Sequence, residues 1–337
     1  MPRWSSGARN GTGSSVARQR PATRVRKPVD ERRRGSSRTT RHPRESRQAP
    51  AIGIIATGLI AVVAVALAGW WWTSRAGTDA VALHRFETDD IHSLAFDLAD
   101  PNSVFFGHHG GIMLSNDAGV TWQDGALRGV DVMQQAIGLA DPPRHYVAGH
   151  DVFSVSTDGG QTWQAQLTDL PSVDLHTFAG SPADPNRLYA VPAGLGLFTS
   201  AHGGATWNAA TLPLGAETQP IALAVAPNDP NTLYLARNGD VSISHDAGAT
   251  WQTQSGPDGI VVALAVAPDA DETLYAATNR GLLRRAPDGS WMRLPVEPDG
   301  MVVAVAVSPA LPGRVAIIDQ QGNFYRSDDG GMDWVSD

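Results

Sequence analysis

The chain has no cysteine, so no disulfide can brace it and no thiolate can bind a metal or act as a nucleophile. Lysine is nearly missing as well: Lys27 is the only one in 337 residues. Glutamate is sparse past residue 72, where only Glu87, Glu217, Glu272 and Glu297 occur, so carboxylate chemistry there falls mainly to aspartate. The HExxH spacing of a zinc-binding helix is absent too. These gaps exclude the commonest metal and thiol chemistries and leave histidine and aspartate as the reactive groups.

Charge is divided along the chain. Residues 1–50 hold 14 Arg or Lys against Asp30, Glu31 and Glu45, with Ser, Pro, Thr and Gly filling most of the rest. Such a segment buries too little apolar surface to offset its ordering entropy, and we expect a disordered basic cytoplasmic tail. A basic tail can also bind nucleic acid, but no aromatic or helical pattern accompanies this one. Residues 51–72, ending Trp70-Trp71-Trp72, carry no charge and are rich in Ile, Val, Ala and Leu. A helix of that length spans roughly 33 Å, enough for a bilayer core. The arginine-rich flank places the N-terminus on the cytoplasmic side, and the tryptophans suit the far interface. Residues 51–72 therefore read as an uncleaved membrane anchor. A cleaved signal peptide is the rival, since Ala66-Leu67-Ala68 resembles a cleavage site. In both readings, the region beyond the linker of residues 73–80 is extracytoplasmic. Beyond residue 72 there are 31 acids against 12 arginines, a balance that repels nucleic acid and anionic lipid. The preference for Arg over Lys, with abundant Ala, points to a GC-rich bacterial genome.

The rest of the chain is organised by a stretch that returns. Ser115-Asn116-Asp117-Ala118-Gly119-Val120-Thr121-Trp122 recurs at 156–163, at 200–207 with His202 in the Asp place, and at 244–251. A degraded copy ends at Trp291, and a last one runs from Ser327 to Trp334. The motif tryptophans are Trp122, Trp163, Trp207, Trp251, Trp291 and Trp334, a period of 40–44 residues, the length of one four-stranded propeller blade. In each copy the Asp (Asp117, Asp158, Asp246, Asp329) can cap backbone N–H groups in a tight turn, where Gly takes positive φ. We expect each Trp to bury its ring between neighbouring repeats while its indole N–H finds a partner. The motif resembles the Asp-box (BNR) repeat of sialidases, sortilin-type receptors, certain endoglucanases and the photosystem II assembly factor. The resemblance spans roughly residues 80–337 and implies an all-β, six-bladed β-propeller over 81–337. It implies nothing specific about function, because those families use one scaffold for unrelated tasks. The layout also looks like that of bacterial membrane-anchored proteins called glycosyl hydrolases on repeat content.

Within each repeat we expect an apolar inner strand, a turn such as Asp100-Pro101-Asn102, and a second strand with a bulky pair such as Phe105-Phe106 or Leu188-Tyr189. The third strand ends at the motif's Ser, and Trp opens the fourth. Ahead of the first repeat, residues 81–86 are left over and strand-like. We expect them to complete the outer edge of the last blade and close the ring.

Asp-box turns lie on one face of such a ring and are read as structural. The opposite face receives the segments leading into the inner strands and the turns between second and third strands. There the sequence gathers Asp90, His92, His109, Asp131, Gln134, Gln135, His150, Asp174 and His176 from the first three repeats. The matching positions of repeats four to six are mostly apolar: Gln219-Pro220-Ile221, Ile260-Val261-Val262 and Met301-Val302-Val303. This asymmetry predicts a polar pocket at the channel mouth, with His92, His109, His150, His176, Gln134 and Gln135 as ligand-binding candidates. Imidazoles with carboxylates suit a divalent metal such as zinc, for which the four histidines are the candidate ligands. They equally suit acid–base work on a sugar, with Asp90, Asp131 and Asp174 as catalytic candidates. The bland alternative is a solvent-filled mouth whose polar groups only fasten loops.

A sialidase is disfavoured. No Arg-Ile-Pro stretch exists, and Tyr146, Tyr189, Tyr234 and Tyr275 occupy a repeated core position. Tyr325 sits elsewhere, on the wrong side of its blade for such a site. Two readings remain: a scaffold binding an extracytoplasmic protein or glycan without catalysis, or a glycoside hydrolase. Carboxylates about 5–10 Å apart at the mouth would favour the hydrolase, whereas burial in salt bridges would favour the scaffold.

Overall fold

The computed structural model describes residues 80–88, 90–213, 222–237 and 239–336. The expected tail, anchor and most of the linker, together with Glu217 and Gln219-Pro220-Ile221, lie outside the described residues. No helix among the described residues is long and apolar enough to cross a membrane.

The described residues between 80 and 336 form six four-stranded antiparallel sheets. The inner strands are Ile91–Phe96, Gln134–Gly138, Leu175–Gly180, Ala222–Val225, Val261–Val266 and Val302–Val307. Each packs beside the next, and the last packs against the first, so the sheets are blades around an axis. The six-bladed expectation holds.

The blades are glued by six apolar clusters, one per interface. Between blades two and three, for example, Tyr146 and Phe153 meet Leu175, Phe178 and Leu188. Each motif tryptophan packs on the cluster between its own blade and the preceding one. Trp122 lies on the seam of blades six and one, Trp251 on that of three and four, and Trp334 on that of five and six.

The expected burial of these rings needs correcting, because only Trp334 is fully enclosed. Trp122, Trp163, Trp207, Trp251 and Trp291 are half-buried, each ring covering the rim of its seam with one side left to solvent. Nor do they share one acceptor. Trp122, Trp163, Trp207 and Trp334 donate to the carbonyl of their own turn's glycine, as Trp334 does to Gly331 O at 3.1 Å. Trp251 instead reaches across the seam to Thr211 O of blade three, at 2.7 Å. The repeated tyrosines are core, and most also bolt blades together: the Tyr189 hydroxyl donates to Pro230 O at 2.6 Å and Tyr234 to Glu272 at 2.8 Å.

The Asp-box turns are self-contained. In the first, Thr121 N–H and Oγ–H donate to the Asp117 carboxylate at 2.8 and 2.5 Å, and Gly119 N–H donates to Ser115 Oγ at 2.8 Å. Led by the Thr121 hydroxyl, these bonds hold Asp117 at a pKa of about 2, and Asp158 and Asp246 repeat the arrangement. The turns sit beside the loops joining first and second strands, as Ala118 N–H donating to Asn102 O shows. They are thus at the opposite end of the strands from His108. Where His202 replaces Asp, the task is shared: His202 Nδ1 contacts Thr206 Oγ1 at 2.7 Å, and Asp169 accepts Trp207 N–H at 2.9 Å.

Ring closure agrees with the expectation for residues 81–86. His84–Arg85 pairs antiparallel with Asn323 and Phe324 on the outer edge of blade six. Further along that edge, Val335 N–H donates to Arg326 O, so both ends of the propeller contribute to one outer strand. Arg314 reinforces the seam by donating to Pro101 O and Asn102 Oδ1, and Arg326 by donating to Ala118 O.

Four inner strands begin at Ile91, Leu175, Val261 and Val302. Each of these carries a register shift at its second residue: Ile91/Ser93, Leu175/Thr177, Val261/Ala263 and Val302/Ala304. A bulge inserts one residue and re-aims its side chain. The inserted residues are His92, His176, Val262 and Val303.

Candidate functional site at the channel mouth

A cavity of about 200 Å3 runs along the axis, lined by inner-strand residues of all six blades. At the Asp-box end its wall includes Pro182, Pro227, Pro268 and Pro309. At the other end the polar lining among the described residues comes from blades one to three, through His92, Ser93, Gln134, Gln135 and Thr177.

Two of the mouth histidines, His92 and His176, are the bulge residues described above. His109 and His150 come from the tight turns between second and third strands of blades one and two. Asp131 and Asp174 precede the inner strands of blades two and three. Backbone contacts fix these segments against one another: Val132 N–H donates to His108 O, Met133 N–H to Ala148 O, and Gly149 bridges Asp174 in parallel. Gly149 is required here, since a Cβ on it would fall 1.9 Å from Asp131 O.

The side chains form a connected network. Asp131 is 9% exposed and faces three imidazoles: His92 Nε2 lies 3.0 Å from Oδ1, with His109 Nδ1 at 3.4 Å and His150 Nε2 at 3.7 Å from Oδ2. The His92 approach is off the hydrogen-bonding direction, so buried Asp131 Oδ1 has no hydrogen bond. Next to it, Asp174 Oδ1 meets His150 Nδ1 at 2.9 Å and His176 Nε2 at 3.1 Å. His150 thus stands between both carboxylates, its ring edge-on to His176 with centroids 4.5 Å apart. His150, Asp174 and His176 offer three donor atoms within 4.8 Å of one another.

Six of the expected mouth residues come together, namely His92, His109, Asp131, His150, Asp174 and His176. Asp90 does not join them. It is exposed, its N–H bonded to Thr88 Oγ1, and among the described residues its carboxylate pairs with no histidine. The two glutamines turn to structural partners. Gln134 Nε2 reaches His176 O at 3.4 Å, while Gln135 links Ser93 Oγ at 3.1 Å to His145 Nε2 at 3.0 Å.

Two residues that the sequence does not single out brace the blades, His145 at the Asp-box end of blade two and Asp319 at the mouth end of blade six. His145 is fully enclosed between Phe105 and Trp163, and burial pushes its pKa down to about 3, so it stays neutral. Asp319, also buried, accepts N–H bonds from Asp299, Gln321 and Asn323 and ties the corresponding turn of blade six. In sequence both look like ordinary strand-end residues. Tyr325 donates to Asp319, and burial raises its pKa to about 12; burial raises Tyr189 to about 12 as well. Neither is a nucleophile in waiting.

The BNR/Asp-box repeat profile matches residues 154–165, the second copy of the motif. No curated protein sequence matches the chain. Among solved structures, a gluconolactonase from Xanthomonas campestris is similar, with 14% identity and a TM-score of 0.56 over 73% of this chain and 88% of that one. A GH74 xyloglucanase from the same organism shares 19% identity with a TM-score of 0.52, covering 75% of this chain but 46% of the xyloglucanase. YCF48 bound to a D1 peptide gives 18% identity and a TM-score of 0.48, over 75% of this chain and 83% of YCF48. At identities this low, the gluconolactonase and the xyloglucanase show a shared fold and nothing about activity.

Proposed function

We propose that this chain, a propeller of Asp-box (BNR) repeats, is a membrane-anchored extracytoplasmic scaffold. In this reading, residues 51–72 hold it to the bilayer and the histidine-bearing mouth binds a ligand or partner protein. The observation that carries the non-catalytic reading is the state of the carboxylates. Asp131 is buried under three imidazoles, Asp174 is held by two, and Asp90 stands apart in solvent. A glycosidase needs one carboxyl group to protonate a leaving oxygen and a second free to attack or to activate water. Here each carboxylate in the network is already engaged by imidazole partners. The buried tyrosines, with raised pKa values, offer no replacement nucleophile.

The test uses the full chain purified in detergent. Partners captured by the wild type are compared with those captured by Asp174→Asn and by Asp246→Asn, which lies on the opposite face. A partner lost with Asp174→Asn and kept with Asp246→Asn supports the reading. Turnover of any member of a chromogenic glycoside panel, abolished by Asp131→Asn, would replace the scaffold with the hydrolase.

A further inference from the structure

We infer that the channel mouth holds a borderline divalent cation of the zinc class, bound by His150, Asp174 and His176 with Asp131 behind them. This deepens the binding role proposed for the mouth and rests on it only in taking that mouth as the functional face.

The donor set comes first. Two imidazoles and one carboxylate form the mixed nitrogen–oxygen set that suits zinc and its neighbours, whereas calcium and magnesium prefer oxygen alone. Spacing comes second. Asp174 Oδ1 lies 2.9 Å from His150 Nδ1 and 3.1 Å from His176 Nε2. Around zinc, with bonds of about 2.0–2.1 Å, neighbouring ligand atoms in a tetrahedron are about 3.3 Å apart, so small side-chain adjustments would admit the ion. The three side chains are between 37% and 49% exposed, which leaves a path in and a fourth position open to water or to a partner's own ligand.

Asp131 supplies the second, independent observation. It is 9% exposed, and its Oδ1 is taken by His92, whose Nε2 lies 3.0 Å away outside hydrogen-bonding geometry. Its other oxygen faces His150 Nε2 at 3.7 Å while His150 Nδ1 faces the proposed site. A metal-bound histidine characteristically passes its other ring N–H toward a carboxylate, which fixes the tautomer and strengthens the ligand. His150 has that arrangement: one nitrogen to the ion, the other to a buried aspartate.

The backbone holds the donors before any ion arrives. Gly149 bridges Asp174, Ala193 N–H donates to Asp174 O, and the bulge at Leu175/Thr177 presents His176. Without an ion, the same groups would make a network in which His150 joins two carboxylates through direct contacts alone. That is the competing account, and it predicts no affinity for zinc.

The experiment uses the full chain in detergent, freed of metal by chelation, and titrates Zn2+, Co2+ and Ca2+ separately by calorimetry. Visible absorption of the Co2+ form reports the ligands directly. We expect one Zn2+ per chain, a Co2+ spectrum with ligand-field bands, no Ca2+ heat and a rise in Tm with zinc. His150→Ala with His176→Ala should weaken zinc binding at least about 100-fold. Asp131→Asn should weaken it about 10–100-fold, and Asp90→Ala should leave it unchanged. Asp174→Asn, at an exposed position, repeats the test if the double variant does not fold. No zinc heat from the wild type, equal affinity in the folded histidine or Asp174 variants, or a loss with Asp90→Ala as large as theirs would overturn the site. These readouts involve the ion alone, so they stand or fall separately from partner capture.

Discussion

Trp291 shows what a single residue loses when its turn decays. In intact copies the indole N–H has an acceptor: Trp163 donates to Gly160 O at 3.1 Å and Trp122 to Gly119 O at 2.9 Å. Trp251, whose own glycine goes unused, finds Thr211 O on the neighbouring blade instead. The shortened copy before Trp291 offers neither, and Trp291 Nε1 is buried without a partner. Replacing it with Phe removes an unsatisfied donor along with some packing. Trp163→Phe should therefore cost about 1–2 kcal/mol more than Trp291→Phe, measured by urea denaturation. His145 gives a pH signature at the same scale. The unfolded chain binds a proton there near pH 6.5, and the folded chain only near 3. The folded pKa is depressed, so the neutral form's stability is complete above about pH 6.5 and is lost as pH falls toward 3. The slope is about 1.4 kcal/mol per pH unit for one proton. His145→Gln should reduce the acid slope by that amount in denaturation midpoints taken between pH 6.5 and 4.5.

Among the elements, the short strand His84–Arg85 carries more than its length implies, because it delivers Phe86 to the seam. Phe86 is buried, its ring 4.2 Å from Phe106 and 5.0 Å from Trp122. Phe86→Ala should cost about 3–5 kcal/mol, read as a fall in the thermal or urea midpoint. A comparable truncation at exposed Leu167 should cost little. Elements were the most legible part of the sequence. The Ser-x-Asp-x-Gly-x-Thr-Trp spacing marks the third turn of a blade because its bonds are local, within four residues. The bulges were not legible. Val261–Val262–Ala263 and Val302–Val303–Ala304 read as uninterrupted apolar strand, and only backbone pairing shows which residue is extra. The same blindness hid why His92 and His176 face the mouth. Their positions could be aligned, but a period-two pattern cannot say that a bulge turns them there.

For the whole molecule, the histidine half-ring was readable because repeats superimpose: equivalent positions carry Asp in three repeats, with His two residues on in two of them, and mostly aliphatics in the others. What alignment could not supply is distance across blades. Nothing in the sequence separates Asp90, left in solvent, from Asp131, buried under three rings, since both stand in the same place of their repeats. His145 was missed for the same reason, being enclosed in part by Phe105 of the preceding blade, and Asp319 because its partners come from separate turns of blade six. A closed ring also makes each interface depend on its neighbours. Unfolding of residues 80–336 should be a single transition, with tryptophan fluorescence and far-UV circular dichroism superimposing. Deleting residues 80–88 should separate the two curves, since blade six then has a frayed edge and Trp122 loses a wall.

That shared outer strand also sets a timetable. The first residues of the propeller to leave the ribosome are the ones whose partners, Asn323 and Phe324, belong to the last strand of blade six. Five blades can stack as they emerge, but the fastening waits, with Phe86 uncovered, until the third strand of blade six has been made. A nascent chain stalled before residue 323 should thus present a protease-sensitive front end that the completed protein no longer shows.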